Sequence, residues 1–484
     1  MPLRENIIVA IFLFFVLSAT AMALHFNGLY GQDAYEYLRL ARALKEMLNE
    51  GTGISHSYFP ILYPVTGFLL SEILANDILA LQVVSMMALT GAFFYLKQLI
   101  RQLYGTTYGL TVYLVAFFFF SPYVFRFGLL SMSDMLCLFF VVASVFHVVR
   151  YLQLAQDKDA VLFTFFAVVA VATRYAVVPL LIIPALFLLV QLLYRKKWNT
   201  LGVVILTAGC ILLPDYLLRG RILFFQFQEA ELFVDYASNA YSWSPSNFFR
   251  SGFDNPDGLQ QYTQWNIAAI TFQLIHPAFI FTGLLFIFFL KRDDFDTPAA
   301  KLLLLMVLVY AFYIAGLQYQ NNRYLLQSFP LVVALYYPAF SRIAMKYFKQ
   351  RNHQWLFFAM VLFMQLLFFS YSFRSVLAMN RAEHAIATSL KDYPGQPIYT
   401  CSITGAIVAY EVENPVTDIY FENIDRADSN ALLLFNYEAF AEHFAGRKPM
   451  MNWDWLNKEY VLTPIRTLPE GWTLYAIKES DATP

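Results

Sequence analysis

Two carboxylates stand where apolar helices begin, a place where an ionised group is costly to hold. Asp33 follows the first apolar run, in Tyr30-Gly-Gln-Asp-Ala-Tyr-Glu-Tyr37, and Asp134 closes Gly128-Leu-Leu-Ser-Met-Ser-Asp134 as another apolar run starts. A carboxylate so placed can take a proton from a hydroxyl, and an ionisable group at the edge of hydrocarbon is a functional candidate by default. Each also has a plainer use. Asp33 with Glu36 spells a capping box in which Asp33 is the N-cap, and Asp134 in a first turn is favoured by the helix macrodipole. Two arginines stand at the ends of apolar runs, Arg174 after Thr173 and Arg323 in Asn322-Arg323-Tyr324. A guanidinium grips phosphate with paired hydrogen bonds, or it snorkels to an interface with no other role. His56 can donate to a phosphate, although a lone loop histidine is more often simply solvated. Tyr35 and Tyr63 complete the candidate substrate contacts, and His276 before Pro277 reads first as a helix-start residue. No ligand spacing suits a metal, and none is expected.

The elements that position these residues are apolar. Of 484 residues 59% are hydrophobic and only 14% charged, and the mean hydropathy is +0.52, more apolar surface than a soluble core absorbs. The 18% of aromatic residues suits lipid-facing helices and interfacial belts. A net charge of −1 gives no reason to expect nucleic acid, and Cys137, Cys210 and Cys401 lie too far apart for a CxxC framework. Runs long enough to approach a 30 Å hydrocarbon layer begin at Ile7–Leu24 and continue at Ile78–Leu99, Gly109–Ser121, Met132–Val149, Ala160–Ala172, Val177–Leu193 and Leu201–Leu218. Ile267–Leu290, Leu302–Leu317, Leu325–Phe340 and Trp355–Phe373 follow. A polytopic α-helical membrane protein of about eleven transmembrane helices is expected.

Basic residues set its orientation. Arg4, Lys97, Arg101, Arg150, Lys158, Arg195, Lys196, Lys197, Lys291, Arg292, Lys301, Arg342, Lys346, Lys349 and Arg351 outnumber those of the opposite connections, which puts the N-terminus in the cytoplasm and the C-terminus outside. Ala19-Thr-Ala and Ala21-Met-Ala also read as a signal-peptidase site, and cleavage there leaves the next loop outside all the same. The outside loops are residues of about 25–76 and 219–265. In the first, Tyr37, Leu40, Ala41, Leu44 and Leu48 recur at helical spacing opposite Glu36, Arg39, Arg42 and Lys45, an interfacial helix. A second segment opens at Tyr58-Phe-Pro-Ile-Leu-Tyr-Pro64. The loop at 219–265 is polar and aromatic, either a lid or a solvated connection. Residues 1–374 form the membrane module. From 375 to 484 the composition becomes soluble, with β-rich runs at Pro397–Cys401, Val416–Phe421, Ala431–Phe435, Tyr460–Pro464 and Trp472–Ile477, a small extracytoplasmic α/β domain.

The order of these parts resembles the GT-C fold glycosyltransferases, especially the branch of protein O-mannosyltransferases, lipid A aminoarabinose transferases and lipopolysaccharide core transferases of the RgtA/B/C/D type. The likeness lies in Gly31-Gln-Asp33-Ala-Tyr-Glu-Tyr37, in Pro60-Ile-Leu-Tyr-Pro64, in Ser121-Pro122 leading to Leu130-Ser-Met-Ser-Asp134, in Thr173-Arg174, and in Asn322-Arg323-Tyr324. It implies an inverting transferase, without cofactor, that takes a sugar from a polyprenyl-phosphate donor to a hydroxyl of a glycan, lipid or protein acceptor. The place implied is the outer face of a bacterial cytoplasmic membrane. Asp33 would be the base, Arg174 and Arg323 the phosphate contacts, and Asp134 a support for the donor sugar or a basic partner. The family's basic or acidic residue before the loop prolines is replaced here by Tyr58-Phe59. A transporter or flippase is the alternative from another class, but matched inverted halves are not legible; a polymerase or ligase of lipid-linked oligosaccharides shares the membrane side and the carrier.

Overall fold

The computed structural model describes residues 3–51, 59–105, 108–219, 242–255, 258–347, 351–420, 423–428 and 430–479. Every apolar run of the sequence lies on helix. The first is α1 (Leu3–Ala23). The segment that follows turns at Gly28, where φ is +89°, and enters α2 (Gly31–Glu50), α3 (Leu62–Leu74) and α4 (Asp77–Tyr104). The Asn76 side chain caps α4 by accepting from the Leu79 amide at 2.9 Å. Then come α5 (Leu110–Leu114), continued by a π-turn at Val115–Phe119, and α6 (Pro122–Leu129), α7 (Ser133–Leu154), α8 (Asp157–Thr173), α9 (Val178–Tyr194) and α10 (Trp198–Arg219).

Two apolar runs are broken by proline. Gly109–Ser121 ends in the π-turn before Pro122, and α6 leaves it at 70°. Pro122 cannot donate the next helical hydrogen bond, and Gln365 meets one freed carbonyl, donating to Ala116 at 3.2 Å. Ile267–Leu290 is divided into α11 (Asn266–Ala269), α12 (Phe272–Ile275), α13 (Pro277–Ile280) and α14 (Gly283–Phe289); Pro277 opens α13, while the 117° bend falls past it, at Phe281-Thr282 between α13 and α14. His276 starts α13 as its type and position indicated, its Nδ1 accepting from the Ala278 amide at 3.1 Å. Among the described residues six helices meet the length and composition of a membrane span, or eight if each bent pair is one span, against the eleven runs read from the sequence. Besides the bent pairs, the difference falls on α8 and α10, whose apolar stretches are too short by that measure, and on the helix Asn322–Tyr347, which is long enough but does not meet the composition test.

The chain is a multi-pass membrane protein with a buried interior and a greasy exterior. Leu13, Leu17, Leu89, Phe93 and Phe125 are fully enclosed, whereas Ile11 and Phe15 on α1 project outward. So do Leu308 and Phe312 on α15 (Pro298–Ala315) and Phe363 and Leu367 on α17 (Arg351–Leu390), as lipid-facing surface requires. Between these two helices lies α16 (Asn322–Tyr347). α17 carries on past residue 375, where the composition turns polar, and its 40 residues rise about 60 Å, twice the hydrocarbon thickness.

Beyond α17 all five β-rich runs are strands of one sheet, in the order β4-β3-β5-β7-β6. They are β3 (Ile398–Thr400), β4 (Val416–Asp418), β5 (Leu432–Phe435), β6 (Tyr460–Thr467) and β7 (Thr473–Glu479). β3 runs parallel to β4 and β5, and β7 antiparallel to β5 and β6. β5 is central and wholly buried, which is why it reads Leu-Leu-Leu-Phe without polar alternation. The helices of this region are α18 (Thr404–Ala409), α19 (Tyr437–Phe440) and α20 (Lys448–Glu459).

The C-terminal region rests on the loop elements. α18 packs on α2, and Gly405 makes that possible: a Cβ there would stand 2.8 Å from Cβ of Tyr35. A hairpin from the second loop, β1 (Gly252–Asn255) and β2 (Gly258–Gln261), joins the same region through the Leu259 amide, which donates to the His443 carbonyl at 3.0 Å. Arg447 pairs with Asp254 beside it. Residues 220–241 of the lid-or-connection segment lie outside the described residues.

Candidate active site

Asp134 sits in the first turn of α7 with no exposed surface, and two arginines from distant helices meet it. Arg323, near the start of α16, places Nε at 2.7 Å and Nη2 at 2.6 Å from Oδ2. Arg174, in the extended residue after α8, places Nη1 at 2.9 Å from Oδ1. The Arg174 guanidinium also lies over the Tyr324 ring, 5.1 Å from its centre, so one helix supplies a cation to the carboxylate and a face to the second cation. An isolated buried charge would be untenable here; pairing and hydrogen bonds are what permit it.

Arg323 has a second carboxylate partner. Its Nη1 donates to Oδ2 of Asp33, so the four residues form a chain, Asp33–Arg323–Asp134–Arg174, and their formal charges cancel. Asp33 is the outermost link, with 29% of its side chain exposed against 12% for Arg323, 11% for Arg174 and none for Asp134. It is not an N-cap. α2 starts two residues earlier, Tyr30 occupies the cap position in extended backbone without a side-chain cap, and Asp33 falls within the first turn. Glu36 does not reach back as a capping box requires but pairs with Arg39 at 2.7 Å.

Backbone ties hold the two carboxylate-bearing helices in register. The Ser131 amide donates to the Gly28 carbonyl at 2.8 Å, and a Cβ at Gly28 would lie 2.4 Å from Oγ of Ser131, so this contact needs glycine for both its φ and its closeness. Gln82 of α4 donates to the carbonyls of Phe26 at 3.2 Å and Leu129 at 3.0 Å, clamping the approach to Asp33 against the approach to Asp134. The Tyr37 hydroxyl shares a 2.7 Å hydrogen bond with Ser133, next to Asp134. Burial, and next the charge of Asp33, push the Tyr37 phenol above its ordinary range, keeping it protonated. Tyr63 is fully buried, its hydroxyl donating to the Leu81 carbonyl at 2.9 Å and sharing a 2.9 Å hydrogen bond with Ser85, and its ring packs edge-on against Tyr37.

Tyr35 points the other way. Its hydroxyl donates to Glu383 of α17, within a group that includes Tyr410, Asn27 and Asn380: Asn27 donates to the Tyr410 hydroxyl at 3.1 Å, and Asn380 to Asn27 at 2.9 Å and to the Leu29 carbonyl at 2.8 Å. Burial first, then the Glu383 charge, push the Tyr35 phenol up, so it remains a donor. This joins α2 to α17 and the C-terminal region rather than to the carboxylate chain. His56 and Tyr58 lie outside the described residues. Among the described residues no group of three His, Cys, Asp or Glu side chains is placed to hold a metal ion.

Sequence reasoning did not single out Arg126. It stands on α6 among the rings of Tyr30, Tyr123 and Phe127, with distances of 5.5, 5.8 and 5.9 Å to their centres, and Arg323 approaches the same Phe127 ring at 5.9 Å. Nη1 donates to the Ser372 carbonyl at 3.3 Å, and its buried Nε has no partner. Among the described residues no carboxylate pairs with it. Among the described residues its charge is thus not balanced by a carboxylate. The available signal was an arginine within the aromatic, apolar segment Pro122–Leu129.

No protein-family model and no curated protein matches the sequence. The fold is similar to that of ArnT from Cupriavidus metallidurans. With the crystal structure bound to undecaprenyl phosphate the TM-score is 0.65 over 98% of this chain and 97% of that one, at 13% identity. With the apo crystal structure it is 0.62 over 95% and 97%, also at 13% identity. The chain has the GT-C glycosyltransferase fold along nearly its whole length.

Proposed function

We propose that this protein is an inverting glycosyltransferase that moves a sugar from a polyprenyl-phosphate donor to an acceptor hydroxyl at the outer face of a bacterial cytoplasmic membrane. The observation that carries the reading is the carboxylate chain: a partly exposed Asp33 held through Arg323 to the buried pair Asp134–Arg174, in a membrane protein of GT-C fold. The binding of undecaprenyl phosphate by ArnT, which shares that fold, supports a polyprenyl carrier.

In this reading the acceptor oxygen attacks the anomeric carbon from the face opposite the phosphate. Asp33 accepts the hydroxyl proton as the new C–O bond forms, the C–O bond to phosphate breaks, and its electron pair leaves on the polyprenyl phosphate. Arg323 occupies one oxygen of Asp33 and orients the other. Because Arg174 and Arg323 are already balanced by two aspartates, the leaving phosphate needs a further cation, and Arg126 is placed to serve. Asp134 then acts as the anchor of both site arginines, and Tyr63 and Tyr35 as braces of α2.

The test is transfer of labelled sugar from a panel of polyprenyl-phosphate sugars in membranes carrying wild type or Asp33→Asn. A positioned base is worth roughly 10² to 10⁴ in rate. Loss on that scale at equal protein level supports the assignment, and unchanged transfer removes Asp33 as base.

A further inference from the structure

The C-terminal region carries an open depression of about 570 Å³ away from the carboxylate chain, between α19, α20 and the strands β6 and β7. Three of its eight lining residues are aromatic and four are polar. Trp453 lies nearly flat on the buried Phe435, with centroids 4.7 Å apart and planes at 17°, so one indole face is fixed against the core while the residue still lines the cavity. Tyr437 leans toward it at 5.3 Å and 44°, and Tyr475 stands edge-on at 5.5 Å and 70°. Tyr437 is 47% exposed, so its ring is open to an occupant.

Around these rings are Glu438, Asn457 and Thr473, a carboxylate, an amide and a hydroxyl. No described residue hydrogen-bonds their side chains, and no lysine or arginine is among the lining residues. Such a set accepts and donates hydrogen bonds but gives no balancing charge to phosphate or carboxylate. The ligand that fits is neutral, offers a flat C–H face to the electron-rich face of a ring, and carries hydroxyls around its edge.

We propose that this cavity is a saccharide-binding site, which takes neutral sugar rings on the Trp453 platform with their hydroxyls on Glu438, Asn457 and Thr473. The proposal does not rest on the transfer reaction, since none of these residues belongs to the carboxylate chain.

The experiment uses the full chain in lipid nanodiscs, with saturation-transfer NMR and indole fluorescence reporting on cellotriose, mannotriose and triacetylchitotriose, and sorbitol as a polyol lacking a ring face. At least one trisaccharide should bind and sorbitol should not. Trp453→Ala should weaken binding by roughly tenfold or more, and Trp453→Phe, which keeps a platform, by no more than about threefold. Tyr437→Ala, at a half-exposed position, should also weaken it. Absence of binding by all three sugars, equal binding of sorbitol, or binding unchanged in both alanine variants overturns the proposal. Transfer in the Asp33→Asn assay is a separate readout, so failure of either claim leaves the other standing.

Discussion

Nε and Nη2 of Arg323 converge on a single oxygen of Asp134, at 2.7 and 2.6 Å, although 189 residues separate the two in the chain. That one buried carboxylate fixes the side chain whose third nitrogen reaches Asp33, so the stability of the core and the aim of the proposed base depend on the same contact.

Removing the anchor should therefore cost more than removing the base. Asp134→Asn leaves two buried guanidinium groups without their shared counter-charge, and is expected to destabilise by about 3 to 5 kcal/mol. Arg174→Gln in the same chain should recover part of that loss. Thermal unfolding of the purified variants in detergent measures both, and an Asp134→Asn protein as stable as wild type contradicts the buried-pair account.

Asp33→Asn should behave in the opposite way. Its side chain is the most exposed of the four, and a partly solvated ion pair contributes about 0 to 1 kcal/mol. Stability is expected to stay within that range while transfer falls by the factor given above, a split that a misfolded variant cannot produce.

Arg126→Ala should weaken retention of polyprenyl phosphate without disturbing the carboxylate chain. A hydrogen bond to a charged group is worth about 1.5 to 3 kcal/mol, or roughly tenfold to a hundredfold in affinity. Titration of the detergent-solubilised variant with undecaprenyl phosphate reads the change, and an unaltered affinity assigns the phosphate to another cation.

Gly28→Ala and Gly405→Val test the backbone contacts that set the site. The first imposes a side chain at φ +89° and 2.4 Å from Ser131, the second drives α18 off Tyr35. Each is expected to cost about 1 to 3 kcal/mol. Gly28→Ala should lower transfer as well, because it shifts α2 relative to α7, and differential scanning fluorimetry beside the transfer assay separates the two effects.

The thiol of Cys401 gives a pH-dependent prediction outside the membrane. Burial pushes it up to about 12, with the Asp418 charge adding and the Ser402 hydrogen bond opposing. The folded state thus holds the thiol proton more tightly than the unfolded chain, whose thiol titrates near 9. Its contribution to stability is complete below pH 9 and is lost as pH rises from there toward 12. Iodoacetamide at pH 8 should leave Cys401 unmodified in the native protein and label it after unfolding; prompt native labelling contradicts this.

Much of the architecture was legible locally. The apolar runs mark the helices, because hydrocarbon admits no unsatisfied backbone and few charges, and the five β-rich runs mark the five strands. Pro122 explains where one run breaks, yet not its 70° bend, and the 117° bend falls at Phe281-Thr282, past Pro277; both bends depend on what the broken halves pack against. The capping-box reading of Asp33 and Glu36 failed for a related reason: local pairing rules describe an isolated helix start, and a buried cation from α16 draws Asp33 away.

What the sequence by itself determined is the kind of surface each segment presents, hence a membrane protein with a sheet-bearing C-terminal region, and the short list of ionisable residues too costly to be idle. Only the tertiary structure decided their partners. Asp33 and Arg323 stand 290 residues apart, and no periodicity or spacing encodes that they meet. Their pairing follows from how α2, α7 and α16 pack, and packing is a property of the whole set of helices, whereas propensity and hydropathy are properties of neighbours along the chain.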